Sequence, residues 1–198
     1  MNEARSYPRR VTTDAGEIEF RLMRRADEAA VLEFAKALPT HDLLFLPRNI
    51  SQPKVLSAWI NEIERGDITS LLALRQGLVV GCGTLVRDSH SWSPHVGEIR
   101  MVVSLDVRGK GVGRALSQET FALALASGLE KLTVQMTVDQ KAAIALFESL
   151  GFKAEALLRD HVRDAAGQKH DIVVLGHNVA QVRAQMEAYG LPGAVSSV

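Results

Sequence analysis

Between the apolar segment GEIRMVVSL (97–105) and a long apolar-periodic stretch that begins at Arg114, the chain reads RGKGVGR. Gly109, Gly111 and Gly113 leave this connection without side-chain bulk, so an anion can approach the main-chain N–H groups closely. If a helix starts here, its first N–H groups lack partners and its positive dipole end adds to the attraction. Arg108, Lys110 and Arg114 add cationic side chains. The chemistry this favours is the cradling of a phosphate or pyrophosphate. Three glycines alone fit an ordinary solvated turn equally well, so context has to decide. Two known phosphate loops fail on spacing. A Walker loop needs Ser or Thr after its Lys, and Gly111 follows Lys110. A dinucleotide G-x-G-x-x-G begun at Gly109 or Gly111 needs glycine where Arg114 or Leu116 stands.

The elements around this loop follow from periodicity and punctuation. Glu17 to Met23 reads as a strand, and Asp27 starts a helix through Leu38 that Pro39 closes. Thr40 to Asn49 contains HDLLFLPRN, too apolar for a solvated loop, so residues 39–47 are expected to cover the domain or a second copy of the chain. A helix is predicted from Pro53 to Arg65 and ends at Gly66. Residues 69–75 and 78–86 flank Gln76-Gly77 as hairpin strands. Residues 97–105 form the predicted fourth strand, and the helix from Gly111 to Ser127 carries apolar residues on opposite sides, which predicts a central position. A fifth strand (131–138), a helix (140–150) capped by Gly151, a sixth strand (152–162) and a seventh (170–177) complete the pattern. The division expected is an N-terminal extension 1–16, one domain over 17–177 and a C-terminal extension 178–198.

Composition narrows the function. The 198 residues are 46% hydrophobic and 23% charged, ordinary for a globular domain and incompatible with disorder. With 23 basic against 23 acidic residues no field exists to hold a polyanion, so neither a nucleic acid nor a membrane is expected as partner. No apolar run approaches the roughly 18 residues of a membrane span, and Cys82 stands alone, which fits a soluble protein of the reducing cytoplasm. His41, His90, His95, His161 and His170 match no metal spacing, so no metal is expected. Cys82, inside a strand, is read as a small buried hydrophobe, and Trp59 and Trp92 as packing or pocket-lining residues.

On Arg108, Gly111 and Gly113, and on the later segment AAIALFESLGF, the chain resembles the GCN5-related N-acetyltransferases over residues 17–177. That family's loop reads Arg or Gln, two residues, Gly, one residue, Gly or Ala. The resemblance implies a mixed, mostly antiparallel α/β sheet of about seven strands, flanked by helices and splayed after the fourth. It implies acetyl-CoA as co-substrate, with the amides of Arg108, Gly109, Lys110, Gly111, Val112, Gly113 and Arg114 on the pyrophosphate and the backbone of Met101, Val102 and Val103 beside the pantetheine. It implies direct attack by a small-molecule amine, with no acyl-enzyme. Glu98 stands where many relatives keep a glutamate that removes the amine proton; its plainer role is a strand-end carboxylate paired with Arg100. The family's tyrosine acid and the asparagine before it are replaced by Phe147 and Gln140. That replacement keeps open a CoA-binding sensor without efficient turnover, and an enzyme using another acyl-CoA is the other alternative. A homodimer fits the apolar 39–47 stretch.

Overall fold

The computed structural model describes residues 5–44 and 46–180, and its framework is a single eight-stranded mixed sheet. In chain order the elements are β1 (Arg9–Thr13), β2 (Gly16–Leu22), α1 (Glu28–Ala37), a 3-10 turn (Thr40–Leu43), α2 (Pro53–Arg65), β3 (Ile68–Arg75), β4 (Leu78–Val86) and β5 (Val96–Val103). Then follow a 3-10 turn (Leu105–Val107), α3 (Val112–Ala126), β6 (Lys131–Thr137), α4 (Lys141–Ser149), β7 (Lys153–Arg163) and β8 (Lys169–Asn178). The strands lie in the order β1-β2-β3-β4-β5-β6-β8-β7, and β5–β6 is a parallel pair in a sheet whose other pairs are antiparallel.

The expected fold class is the observed one, with one strand more. Arg9–Thr13, read as part of an N-terminal extension, pairs with β2 from Arg9↔Phe20 to Thr13↔Gly16. Its sequence RRVTT carries little apolar signal because it lies at the edge of the sheet. The predicted fourth strand is therefore β5. The helical pattern that begins at Val179, and the tail after it, lie outside the described residues beyond Ala180.

Successive residues of a strand face opposite sides of a sheet, and β3 shows both sides covered. Leu72 and Leu74 pack with Val31, Phe34, Leu56 and Ile60 of α1 and α2. Leu71 and Ala73 pack with Val112, Ala115 and Leu116 of α3. The far side of α3 serves a further cluster, where Phe121, Ala124 and Leu125 meet Leu132, Val134 and Phe147. The central position predicted for this helix is thus occupied, and Leu116 and Thr120 are wholly buried. Leu43 is buried and Leu46 packs against the α1–α2 cluster, so the apolar 39–47 stretch covers the domain itself. Among the described residues no helix is long and apolar enough to cross a membrane.

Close approach of α3 to β4 depends on Gly83. A Cβ there would run into Thr120 Oγ1 and lie 3.1 Å from Leu116 Cδ1. Both side chains are in the core, so neither can swing aside. Gly83→Ala is expected to destabilise the protein by about 1–3 kcal/mol, the usual cost of overpacking. Urea unfolding measures this, and an unchanged midpoint would show that α3 can shift freely.

Candidate active site

The glycine loop has the local geometry an anion requires. Gly109 and Gly111 adopt φ of +70° and +81°, a region other residues rarely enter, and Gly111 is the N-cap of α3. The amides of Gly111 to Arg114 have no backbone acceptor among the described residues, as expected at a helix start. A Cβ at Gly113 would stand 3.8 Å from Leu146 Cδ2 and 4.0 Å from Val103 Cγ2, ordinary contacts at the wall of the cleft. The cations are anchored. Lys110 Nζ donates to Asp106 O at 2.8 Å, and Arg114 Nη2 to Ser149 Oγ at 3.2 Å. Arg108 donates to Val103 O from Nε (3.2 Å) and Nη2 (3.1 Å), and Nη2 also meets Asp42 Oδ2 at 2.7 Å.

Beside the loop the sheet opens. The β5–β6 pairing runs from Val96↔Lys131 only to Ile99↔Val134. Past that point β5 stays with β4 as far as Val103↔Gly81, while β6 follows β8 as far as Thr137↔Ile172. The gap is a cavity of about 550 Å³ walled by Met101, Val102 and Val103 on one lip, by Gln135, Asp139 and Phe147 on the other, and by Gly109, Gly111 and Gly113 at its end. The size and the free amides fit a phosphate-bearing ligand with an extended body.

A second cavity, about 250 Å³, lies between β4–β5 and α2 with the 46–50 segment. Its walls are apolar at Ile50, Val55, Ile68 and Val86, with Arg48, Glu62, Trp59 and Arg100 as polar or charged groups. Met101 and Val102 belong to the walls of both cavities. The two spaces thus share a wall at the strand segment where β5 leaves β6.

Glu98 does not line this second cavity. Its two carboxylate oxygens accept from Arg100, Nε to Oε1 and Nη2 to Oε2, both at 2.9 Å, and each side chain is 22% exposed. Arg100 itself is on the wall. The carboxylate that lines the cavity is Glu62, which sequence reasoning missed. A signal existed, since Glu62 stands three residues after Trp59 and seven after Val55 on the face that α2 turns inward.

The histidines divide. His41 Nε2 lies 2.7 Å from Asp139 Oδ2 and 3.4 Å from Thr137 Oγ1, and its ring meets that of His170 edge-on with centroids 5.1 Å apart. The hydrogen bond from Thr137 is the chief reason the Asp139 carboxyl stays below its usual range. His170 Nε2 is 2.9 Å from Asp164 Oδ2. His90, His95 and His161 enter neither cavity wall. Among the described residues no group of three or more His, Cys, Asp or Glu side chains is arranged to hold a metal. Phe147 is buried, packs edge-on against Phe152 and lines the larger cavity, so an apolar ring occupies the place where a proton donor was sought. Tyr7 is engaged elsewhere, donating to Glu119 Oε2 at 3.0 Å, and Tyr189 lies outside the described residues. Trp59 lines the smaller cavity, whereas Trp92 is fully exposed and does no packing.

Comparison with known proteins identifies the family and the fold. Residues 35–152 match the model of the Acetyltransferase (GNAT) family. The chain is 36% identical over 94 residues to an IAA acetyltransferase of Azospirillum brasilense, covering 47% of this chain and 60% of that protein. To the N-acetylaspartate synthetase of Xenopus tropicalis it is 30% identical over 103 residues, covering 52% and 36%. The chain thus spans less than two thirds of the length of these curated relatives. A GNAT-family acetyltransferase structure from Streptococcus pneumoniae superposes with a TM-score of 0.70 at 20% identity, covering 81% of this chain and 99% of the other. The yncA structure from Salmonella typhimurium with its cofactor acetyl-CoA gives 0.69 at 21% identity, covering 82% and 94%. At such identities the likeness is one of fold.

Cys82 shares the wall of the smaller cavity, and burial pushes its thiol up to about 12. The thiolate is the nucleophile, so at pH 7 to 9 this thiol is protonated and inert. A thiol reagent such as DTNB is expected to leave native protein unlabelled up to pH 9 and to react fully after unfolding. Rapid labelling of native protein at pH 8 would contradict this.

Proposed function

Because the chain belongs to the GNAT family of acetyltransferases, we propose that it transfers an acetyl group from acetyl-CoA to the amine of a small molecule by direct attack within a ternary complex. The observation that carries this reading is the pair of cavities sharing Met101 and Val102, one ending at free helix amides and the other walled by apolar and charged side chains. When bound, acetyl-CoA supplies the acetyl group activated as a thioester. In this reading the amides of Gly111 to Arg114 hold its pyrophosphate, and the Met101–Val103 edge, which β6 has left, lies along its extended arm. The helix start and the neighbouring guanidinium of Arg108 support that role, although Arg108 must give up Asp42 to turn inward. A cytoplasmic setting goes with the single, buried cysteine.

Glu98 is the proposed base. Each carboxylate oxygen gives one lone pair to Arg100 and keeps another, so a water can still be polarised by it. Attack on the thioester needs the amine in its neutral form, and the base removes the proton as the bond forms. Phe147 favours a second reading, a CoA-binding module with little turnover, because its ring donates no proton. An acyl donor other than acetyl would be the third. Free-thiol release measured with acetyl-CoA and longer acyl-CoAs against a panel of amines separates all three.

Two substitutions test the parts. Gly113→Glu puts a carboxylate among the helix amides at a position where φ is ordinary and a Cβ makes only ordinary contacts, so the fold should survive while acetyl-CoA affinity drops at least 10²-fold by calorimetry. Unreduced affinity would remove the pyrophosphate from this loop. Glu98→Gln is expected to lower kcat/KM by about 10²-fold at pH 7, with acetyl-CoA binding unchanged and partial rescue as pH rises towards the amine's own pKa. A full rate at pH 7 would leave Glu98 with only its Arg100 pairing.

A further inference from the structure

We infer that the smaller cavity selects an acceptor whose non-reacting end is a carboxylate, that is, a compact amino acid with an apolar body, and that Arg100 is the residue that selects it. The inference rests on the acetyltransferase reading only for which molecule fills the cavity; the binding chemistry comes from the walls. Three charged side chains line it, the guanidiniums of Arg48 and Arg100 and the carboxylate of Glu62. Glu98, paired with Arg100 beside the wall, balances the remaining positive charge, so directed N–H donors and not net charge must do the selecting.

The two cations differ in how they are held. Arg48 meets Glu62 at a long 3.4 Å and its side chain is 62% exposed, so it is a rim charge of little energetic weight. Arg100 is mostly buried and fixed by two parallel hydrogen bonds to Glu98. A guanidinium carries five N–H donors, and these two bonds use two. The remaining donors, including both on Nη1, have no protein acceptor among the described residues. A planar cation pinned along one edge with another left open is prearranged for a second carboxylate, because little side-chain entropy is lost on binding.

Trp59 supplies an independent sign. It lines the same cavity, and its indole Nε1–H is buried without a hydrogen-bond partner. A buried donor left unmade costs on the order of 1–3 kcal/mol, so such groups are normally satisfied. An acceptor group on a ligand would satisfy it. Arg100 on β5 and Trp59 on α2 are thus two lining side chains with N–H donors left unmade, whereas Ile50, Val55, Ile68 and Val86 offer nothing to a polar body. The volume of about 250 Å³ is below the usual ~300–1,000 Å³ of ligand pockets, which favours a single small side chain over a peptide.

The test compares matched ligands: phenylalanine and leucine against their amides and against phenethylamine and isoamylamine, by thiol release with acetyl-CoA and by calorimetric binding to protein loaded with CoA. The acids are expected to exceed both neutral-ended series by about 10-fold or more in kcat/KM and in affinity. Arg100→Gln should bring the acid-to-amide ratio close to one, and Arg100→Lys should keep part of it. Trp59→Phe, which removes the indole N–H along with part of the ring, should lower the ratio by a smaller factor and serves if the Arg100 variants melt early. Amides or plain amines equal to the acids in the native protein, a ratio unmoved by Arg100→Gln, or no binding of any acid would overturn the inference. Binding of the acids without thiol release would refute the transferase reading and support this one.

Discussion

Four residue pairs hold the two halves of this sheet together, from Val96↔Lys131 to Ile99↔Val134. The cleft beside the glycine loop depends on their stopping there. Main-chain groups must find hydrogen-bond partners or face solvent, and each strand beyond Ile99 keeps a partner on its outer side, β4 for β5 and β8 for β6. The halves can therefore part without stranding a buried strand, and the gap remains lined by backbone. The parallel crossover that joins β5 to β6 must contain a helix. That helix is α3, and its N-terminus falls at the mouth of the gap.

One short segment binds both lips. In the turn Thr40–Leu43, Asp42 reaches Arg108 on the β5 side and His41 reaches Asp139 on the β6 side, each at 2.7 Å. Partly exposed pairs of this kind contribute no more than about 1 kcal/mol each. Their effect is positional, because the chain that leaves the turn passes through Leu46 to Ile50 on the wall of the smaller cavity. The glycine loop, the cleft and the wall of the smaller cavity are thereby joined through one turn, and Leu43 packs into the α1–α2 core.

What the sequence made legible was local. The glycine loop was readable because left-handed φ and free helix amides are properties of neighbouring residues. The helices and the Gln76-Gly77 hairpin were readable for the same reason. The reading failed where contacts are distant. RRVTT becomes a strand only by pairing with β2 at the sheet edge, which no periodicity announces. Glu62 was passed over, because its place on the wall of the smaller cavity depends on how α2 packs over β4 and β5. Glu98 shows an intermediate case: Arg100, two residues on and therefore on the same face, was visible as a partner, but that Arg100 and not Glu98 lines the cavity depends on how α2 packs.

The loss of a tyrosine at Phe147 bears on which proton transfer limits the proposed reaction. A thiol with a pKa of roughly 8.5 can leave as thiolate at pH 7 at a cost of about 1.5 pK units, or roughly 2 kcal/mol. An amine with a pKa near roughly 10 must lose its proton at a cost of about 3 units, or roughly 4 kcal/mol. The acid is thus the smaller requirement and the base the larger one. In the proposed reaction the position the family resemblance assigns to a proton donor can go to packing, as it does with Phe147 against Phe152 at a centroid distance of 5.2 Å, at the smaller cost. A carboxylate base could not be given up as cheaply. In the proposed reaction the base therefore matters more than the acid, Glu98 is held for that role by its two bonds to Arg100, and Phe147 on α4 shapes the cleft.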